Sequence, residues 1–508
     1  MQIPRSIVIV VLPVTVGIFY LTASGHFGYT PDDTFIYLQY AKHVVGGEGL
    51  SFNAGQPTYG FTSPLWLILI SFGGFLGLDL YVVAKTVDIV LASASLFVFY
   101  FVAFEVIRDM IPSLLATLAF AFNVWLVRWA GTGMETSLSV CLVLLTALYT
   151  LRNEYMLAVI AGALVSLTRP EGIAFVGFVF ADLFLNSRDR RVALRKAGLL
   201  ALLFVALMLP WYAYAQWTFG SVVSNTELAK SNWSFDAGEI FTGALDMVET
   251  VTFSDGVALL VMLASIIWLL VQRRVRRREE EDTSDFFLAR QHFIGVGWLL
   301  LLPLCYSLLR VNVVSRYLLL VTPFIGIGAF GLLNVALGRS AYRRFSHLAL
   351  VMLTALILLQ NQFTYWTIVK PGVSAFEAGL ESTLVDFGKW LKSYSNPSDV
   401  VFAWDIGALG YFSDRTIVDG SGLATPEMIP WMRSGFGVER MMKEKFYRKF
   451  GSASFVVCRS EAPEAWASPG ELKPIRTVPF ARMGLAKKEV VFFTLYQVQT
   501  PSHSISHE

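Results

Sequence analysis

Asp32 and Asp33 stand side by side just past the first apolar segment, in a chain that is 55% hydrophobic and only 15% charged. Charge where a polypeptide leaves the membrane is costly unless something uses it. One acid there can cap the helix that follows, because a short acidic side chain accepts from free helix N–H groups. Capping needs a single acid, so the second asks for chemistry. A carboxylate that accepts a proton from an attacking hydroxyl is the simplest use.

Cations recur at comparable depth. Arg128 ends one apolar segment, Glu135 begins the next, Arg169 and Glu171 flank the turn at Pro170, and Arg316 opens a late segment. A lone arginine of this kind reads as a snorkelling or helix-end charge. Together they read as a cluster beside the acidic pair, suited to a phosphate. A polar loop over about 219–253 adds Asn225, Thr226 and Lys230. Residues 33–45 follow helical spacing, with Gln39, Lys42 and His43 on one face and Ile36, Tyr40 and Val44 on the other. That pattern predicts a helix on the membrane surface whose polar face, shared with Asp32, meets substrate.

The elements that must position these groups are membrane spans. Mean hydropathy is +0.57, and the apolar runs predict a multi-span α-helical protein with segments near 6–23, 82–107, 111–130, 133–151, 155–168, 171–186, 197–218, 254–271, 291–310, 316–336 and 346–368. With the N-terminus cytoplasmic, the basic clusters around Arg188–Lys196, Arg273–Arg278 and Arg339–Arg344 fall on the inner side. That parity requires 64–78, broken by Gly73-Gly74, not to cross. Residues 1–370 then form the transmembrane module, with an outer loop over 24–80. Residues 371–508 form a small α/β domain on the outer side, with strand-like runs at 399–404, 453–458 and 489–498. The tail beyond Pro501 is expected to be disordered. Arg5 and the apolar run after it also resemble a cleaved leader, a reading that leaves the following residues on the same outer side. Cys141, Cys305 and Cys458 suggest no disulfide framework and no zinc pattern. The arginines lie in short loops, which argues against nucleic acid.

Several short motifs occur in a telling order. They are Asp32-Asp33-Thr34-Phe35-Ile36, Gly47-Glu48-Gly49, Phe52-Asn53-Ala54-Gly55 and Thr62-Ser63-Pro64-Leu65-Trp66. Further on come Gly133-Met134-Glu135-Thr136, Thr168-Arg169-Pro170-Glu171-Gly172, Asn225-Thr226, Ser315-Arg316-Tyr317-Leu318 and Asp405-Ile406-Gly407-Ala408-Leu409-Gly410-Tyr411. In this order the chain resembles the GT-C superfamily of polyprenyl-phosphate-sugar glycosyltransferases, in particular the branch of the mycobacterial terminal arabinofuranosyltransferase. It departs from that branch at Gln39, Tyr59 and Ser224, where the family often has Arg, Glu and Pro.

The resemblance implies inverting transfer of a sugar from a polyprenyl-phosphate donor to a cell-envelope glycan or lipid acceptor, in the cell membrane and on its outer face. Asp32 or Asp33 would be the base, with Asp32 favoured and Asp33 orienting it or binding the acceptor. Arg169, Lys230 and Arg316 would hold the donor phosphate. Gln39, Lys42, His43, Thr62, Ser63, Arg128, Glu135, Asn225, Thr226 and Asp405 would line the substrate. For Asp405 the competing reading is a turn cap before Gly407. No cofactor is implied, and a divalent metal at the acidic pair is not indicated. The alternatives are a lipid-linked glycan transporter or flippase, an oligosaccharyltransferase or lipid-A-type transferase on the same scaffold, and a noncatalytic relative. No internal repeat supports transport.

Overall fold

The computed structural model describes residues 6–230, 236–276, 283–311, 313–338, 345–481 and 490–499, without side chains for Ser6, Ile7, Lys230, 273–276 and 283–290. The side chains of the basic clusters Arg273–Arg278 and Arg339–Arg344 lie outside the described residues, as does the tail beyond Pro501.

The chain is an integral membrane protein. Among the described residues, five helices are long and apolar enough to cross a membrane: Leu80–Ile107, Arg190–Phe219, Ala237–Gln272, Gln291–Leu308, and the run Ser346–Tyr394. Shorter apolar helices accompany them, among them Val8–Ser24, Thr136–Leu151, Tyr155–Ser166, Gly172–Asn186 and Thr322–Gly338. The two kinds of surface differ. Only 11% of the apolar window in Arg190–Phe219 is buried, against 56% in Leu80–Ile107. A helix apolar all round and left uncovered by protein is one that lipid covers. Pro64–Phe75 has only 12 residues, or roughly 18 Å at 1.5 Å per residue, against about 30 Å of hydrocarbon.

The segment expected as one span over 111–130 is two helices, Met110–Ala121 and Val124–Trp129. Asn123 separates them: its side-chain oxygen accepts from the N–H groups of Trp125 and Leu126, so it starts the second helix. The segment near 316–336 is likewise divided, into Ser315–Leu318 and Thr322–Gly338. Both breaks deliver functional candidates, Arg128 and Arg316, to short helices.

By compactness the chain divides into two units. The first comprises Met1–Phe27, Lys85–Trp211 and Asn232–Thr367; the second comprises Gly28–Ala84, Tyr212–Ser231 and Ile368–Glu508. The second unit joins most of the loop expected over 24–80 to the C-terminal residues. The loop supplies the helix Asp32–Val45 and a two-stranded hairpin, β1 (Ser51–Asn53) and β2 (Gln56–Pro57).

The C-terminal part carries a five-stranded sheet. Its strands are β3 (Val400–Ala403), β4 (Thr416–Asp419), β5 (Phe455–Ser460), β6 (Leu472–Ala481) and β7 (Val490–Val498), in spatial order β4-β3-β5-β7-β6. β4, β3 and β5 are parallel, whereas β7 pairs antiparallel with β5 and β6. Alternate residues Phe402, Val456, Cys458 and Tyr496 pack with Met428, Met441, Met442, Phe446 and Tyr447 into a buried core on one face. β3, β5 and β7 match the expected runs; β4 and β6, the two edges, were not expected.

Candidate functional site

Two clusters hold the candidate residues, one in each unit. In the first unit, Arg169 sits in the turn between Tyr155–Ser166 and Gly172–Asn186. Its guanidinium donates to Glu135 Oε1 at 2.8 Å and lies 3.5 Å from Glu171 Oε1. Both members of the closer pair are buried, with side chains 6% and 4% exposed. Glu171 also accepts from the Tyr306 hydroxyl at 2.5 Å. Arg169 and Arg316 both stack on the Tyr317 ring, at 4.7 and 5.2 Å from its centroid. Arg316 and Arg128 in turn lie over Trp129, at 5.4 and 4.7 Å. Ser315 accepts from Arg128 and from the Trp129 indole. The structure therefore brings together Arg128, Glu135, Arg169 and Arg316, which come from three separate stretches of the sequence. Lys230, expected beside them, has its side chain outside the described residues.

One partner of this cluster escaped sequence reasoning. Asp88 is fully buried in the helix Leu80–Ile107. Its Oδ2 accepts from the Thr132 hydroxyl and the Gly133 N–H, at 3.2 and 3.1 Å, and so fixes the turn that leads into Glu135. The available signal was Lys85 and Asp88, two charges three residues apart inside an apolar run. Glu135 Oε2 and Arg169 Nε are among the buried polar atoms of the described residues that have no hydrogen-bond partner within the protein. Buried groups of this kind are normally satisfied, so a cluster holding both an acceptor and a donor in reserve suits a polar ligand.

In the second unit, Asp32 opens the helix Asp32–Val45 but does not cap it. Pro31 holds the cap position, and no side chain bonds there. The Asp32 carboxylate instead accepts from the N–H groups of Gly407 and Ala408, at 2.9 Å to Oδ2 and 2.8 Å to Oδ1. These residues begin the helix Gly407–Ser413 that follows β3. Burial, and next the charge of Asp405, push the Asp32 carboxyl up to about 7 against the pull of those two donors; Asp33 adds a smaller push. Burial also raises Asp405, while Arg459, 3.4 Å away, acts in the opposite direction. Asp405 therefore pairs with Arg459, and the cap before Gly407 comes from Asp32.

The expected surface helix is buried on nearly every side; of its polar face Gln39 and His43 are buried and Lys42 stays partly exposed. Gln39 donates to the Phe52 carbonyl at 3.1 Å, and His43 Nδ1 lies 2.8 Å from the Ser51 carbonyl, so both hold β1. Lys42 pairs with Asp414. Thr62 lies 3.5 Å from the Tyr37 hydroxyl, and Ser63 caps Pro64–Phe75 by accepting from the Trp66 N–H. Asn225 donates to the Leu423 carbonyl and Thr226 to the Gly60 carbonyl, at 3.0 and 2.8 Å. Asn53, given no role from the sequence beyond its place in the Phe52–Gly55 motif, bonds both backbone groups of Ile417 in β4, at 2.9 Å each. Among the described residues, no group of three or more His, Cys, Asp or Glu side chains is placed to hold a metal.

Residues 374–493 match a family described as a domain of unknown function, DUF8728. No curated protein matches the chain by sequence. Solved structures are similar across most of it. ArnT from Cupriavidus metallidurans bound to undecaprenyl phosphate aligns over 97% of this chain and 98% of that one, at 13% identity and a TM-score of 0.60. The Archaeoglobus fulgidus oligosaccharyltransferase in its apo form aligns over 88% and 69%, at 14% identity and a TM-score of 0.54. The archaeal oligosaccharyltransferase AglB from the same organism, in complex with an inhibitory peptide and a dolichol-phosphate, aligns over 88% and 69%, at 13% identity and a TM-score of 0.52. The chain shares the GT-C fold of these structures: an α-helical membrane module with a C-terminal sheet domain.

Proposed function

We propose that this chain is a glycosyltransferase that moves a sugar from a polyprenyl-phosphate donor to a cell-envelope glycan or lipid, with inversion, on the outer face of the membrane. The observation that carries the reading is the Asp32 carboxylate, fixed by the N–H groups of Gly407 and Ala408 beside Asp405, where burial and neighbouring acids raise it to about 7. A general base works best with a pKa near the operating pH. Fold alone would not suffice, because one scaffold hosts many activities. Two of the similar structures are described with polyprenyl-type phosphates, undecaprenyl phosphate in one and a dolichol-phosphate in the other, and this supports a lipid-linked donor here.

In the reaction, the acceptor hydroxyl loses its proton to Asp32 as its oxygen attacks the anomeric carbon, and the bond from that carbon to the phosphate oxygen breaks. Each Asp32 oxygen keeps a lone pair beyond its backbone bond, so it can still accept the proton. Asp33 orients the base or the acceptor. Arg169, Arg316 and Lys230 receive the charge that develops on the departing phosphate, with Arg128 beside Arg316 on Trp129. Fixed guanidinium forks suit that task because they need little reorganisation. Glu135 sets the Arg169 fork, and Asp405 faces the acceptor side. Gln39, Lys42, His43, Thr62, Ser63, Asn225 and Thr226 shape the loop that carries the base.

The topology proposed with it has the N-terminus inside, eleven crossings, 64–78 not crossing, and residues 371–508 outside as one domain. Cysteines placed at Gly77 and Ser452 are then labelled only from outside; labelling from the cytoplasm alone contradicts the scheme. The function is tested by giving purified protein a labelled polyprenyl-phosphate sugar in vesicles. A transferase releases or transfers the sugar. Redistribution of intact lipid without turnover would identify a flippase instead.

A further inference from the structure

Two of the ties between the outer loop and the C-terminal residues lie beside neighbouring strands. At the end of β3, Gly407 and Ala408 donate their N–H groups to Asp32. On β4, Ile417 exchanges two hydrogen bonds with the Asn53 side chain, which imitates another strand along that edge. Gly407 is suited to its post because it has no side chain. A Cβ there would run into the Asp32 backbone oxygen and would lie 3.0 Å from the Asp32 Cγ.

Topology explains why this turn is the place. The chain leaves β3 for β4 on one side and later crosses to β5 on the other. In open α/β sheets the carboxyl ends of two such strands border the crevice where ligands bind. Asp405 follows β3 and Arg459 lies in β5, and their ion pair links the two strands at 3.4 Å. A side chain of the same polypeptide, Asp32, takes the position beside them.

We infer that the turn Asp405–Ala408 is the positioning device of the transfer base, with Gly407 as the residue that admits the Asp32 carboxylate to it. The region matched by the domain of unknown function thereby acquires a role: it holds the carboxylate in place for proton transfer. This rests on the reading of Asp32 as the base.

Full-length protein in lipid nanodiscs tests it with Gly407→Ala, Asp405→Asn and Asp32→Asn, each followed by transfer rate against donor concentration and pH, beside thermal unfolding. Gly407→Ala lowers kcat about 10²-fold, the cost of roughly 1 Å of misplacement, and leaves KM for the lipid donor unchanged. Its acid limb moves to higher pH, because the N–H donors that favour the charged carboxylate are lost. Asp405→Asn moves the acid limb to lower pH: the acid facing Asp32 is gone, Asp33 remains, and Arg459 loses its counter-ion. A folded Gly407→Ala protein with wild-type kcat and pH profile overturns the inference. Should that variant not fold, an unshifted acid limb in Asp405→Asn overturns it. Full activity in Asp32→Asn would instead remove the base assignment itself.

Discussion

Arg169 offers the sharpest separation of stability from function. Its guanidinium is 2.8 Å from Glu135 and 3.5 Å from Glu171, and its side chain is 6% exposed. Arg169→Met leaves two carboxylates without their shared cation in a buried place. Removing one member of a buried pair costs about 3–5 kcal/mol, mostly because the other charge stays behind. Adding Glu135→Leu removes the nearer stranded charge, so the double variant returns to within about 2 kcal/mol of wild type, a coupling that a double-mutant cycle reads directly. Transfer does not return with it. A phosphate ligand that stabilises the leaving group is worth about 10²–10³ in kcat, and that loss persists in both variants. The assay pairs thermal unfolding of purified protein with initial rates of sugar transfer at saturating donor. If the double variant regains stability and turnover together, Arg169 is a structural ion-pair member and its phosphate role is refuted.

Two further outcomes follow from the second unit. The Asp32 carboxyl is at about 7 in the fold against an ordinary 3.8, so the folded state holds its proton more tightly than the unfolded chain. Its stabilising contribution is complete below the unfolded value and is lost as pH rises through the folded one. The stability difference between wild type and Asp32→Asn should therefore move toward the variant across that window; a difference independent of pH contradicts the assignment. Asn53→Ala removes both bonds to Ile417 and leaves two backbone groups of β4 unpaired, at about 1–3 kcal/mol each. Thermal unfolding should show a loss of a few kcal/mol by the same reasoning, and a shift within error of wild type would mean that the loop is held elsewhere.

Much of the arrangement is readable from residue types, and the exceptions share one cause. The acidic pair, the arginines at helix ends and the helix over 33–45 follow from charge placed against apolar periodicity, which is local information. Both unexpected strands are sheet edges. β4 has only four residues, and β6 carries Pro474 and Pro479, which a central strand excludes and an edge accepts. The polar face of Asp32–Val45 misled because Gln39 and His43 bond to the β1 backbone, and helical spacing says nothing about what packs on it. Asp32 does not cap the helix that follows it, as a capping reading would have it; the N–H groups that its carboxylate meets begin 375 residues further on. Asp88 acts through partners 44 and 45 residues away and Asn53 through one 364 residues away, and a single chain gives no sign of such pairings.

The most direct measurement is the rate of sugar transfer from a labelled polyprenyl-phosphate donor by purified wild-type protein and by Asp32→Asn, with donor binding measured on both. An amide at this position fills the same space but cannot take the acceptor's proton. The account predicts that wild type turns over, and that Asp32→Asn binds donor with unchanged affinity while kcat falls by a factor of about 10²–10⁴. Turnover near the wild-type rate in Asp32→Asn, or no transfer by wild type from any polyprenyl-phosphate sugar, would contradict it.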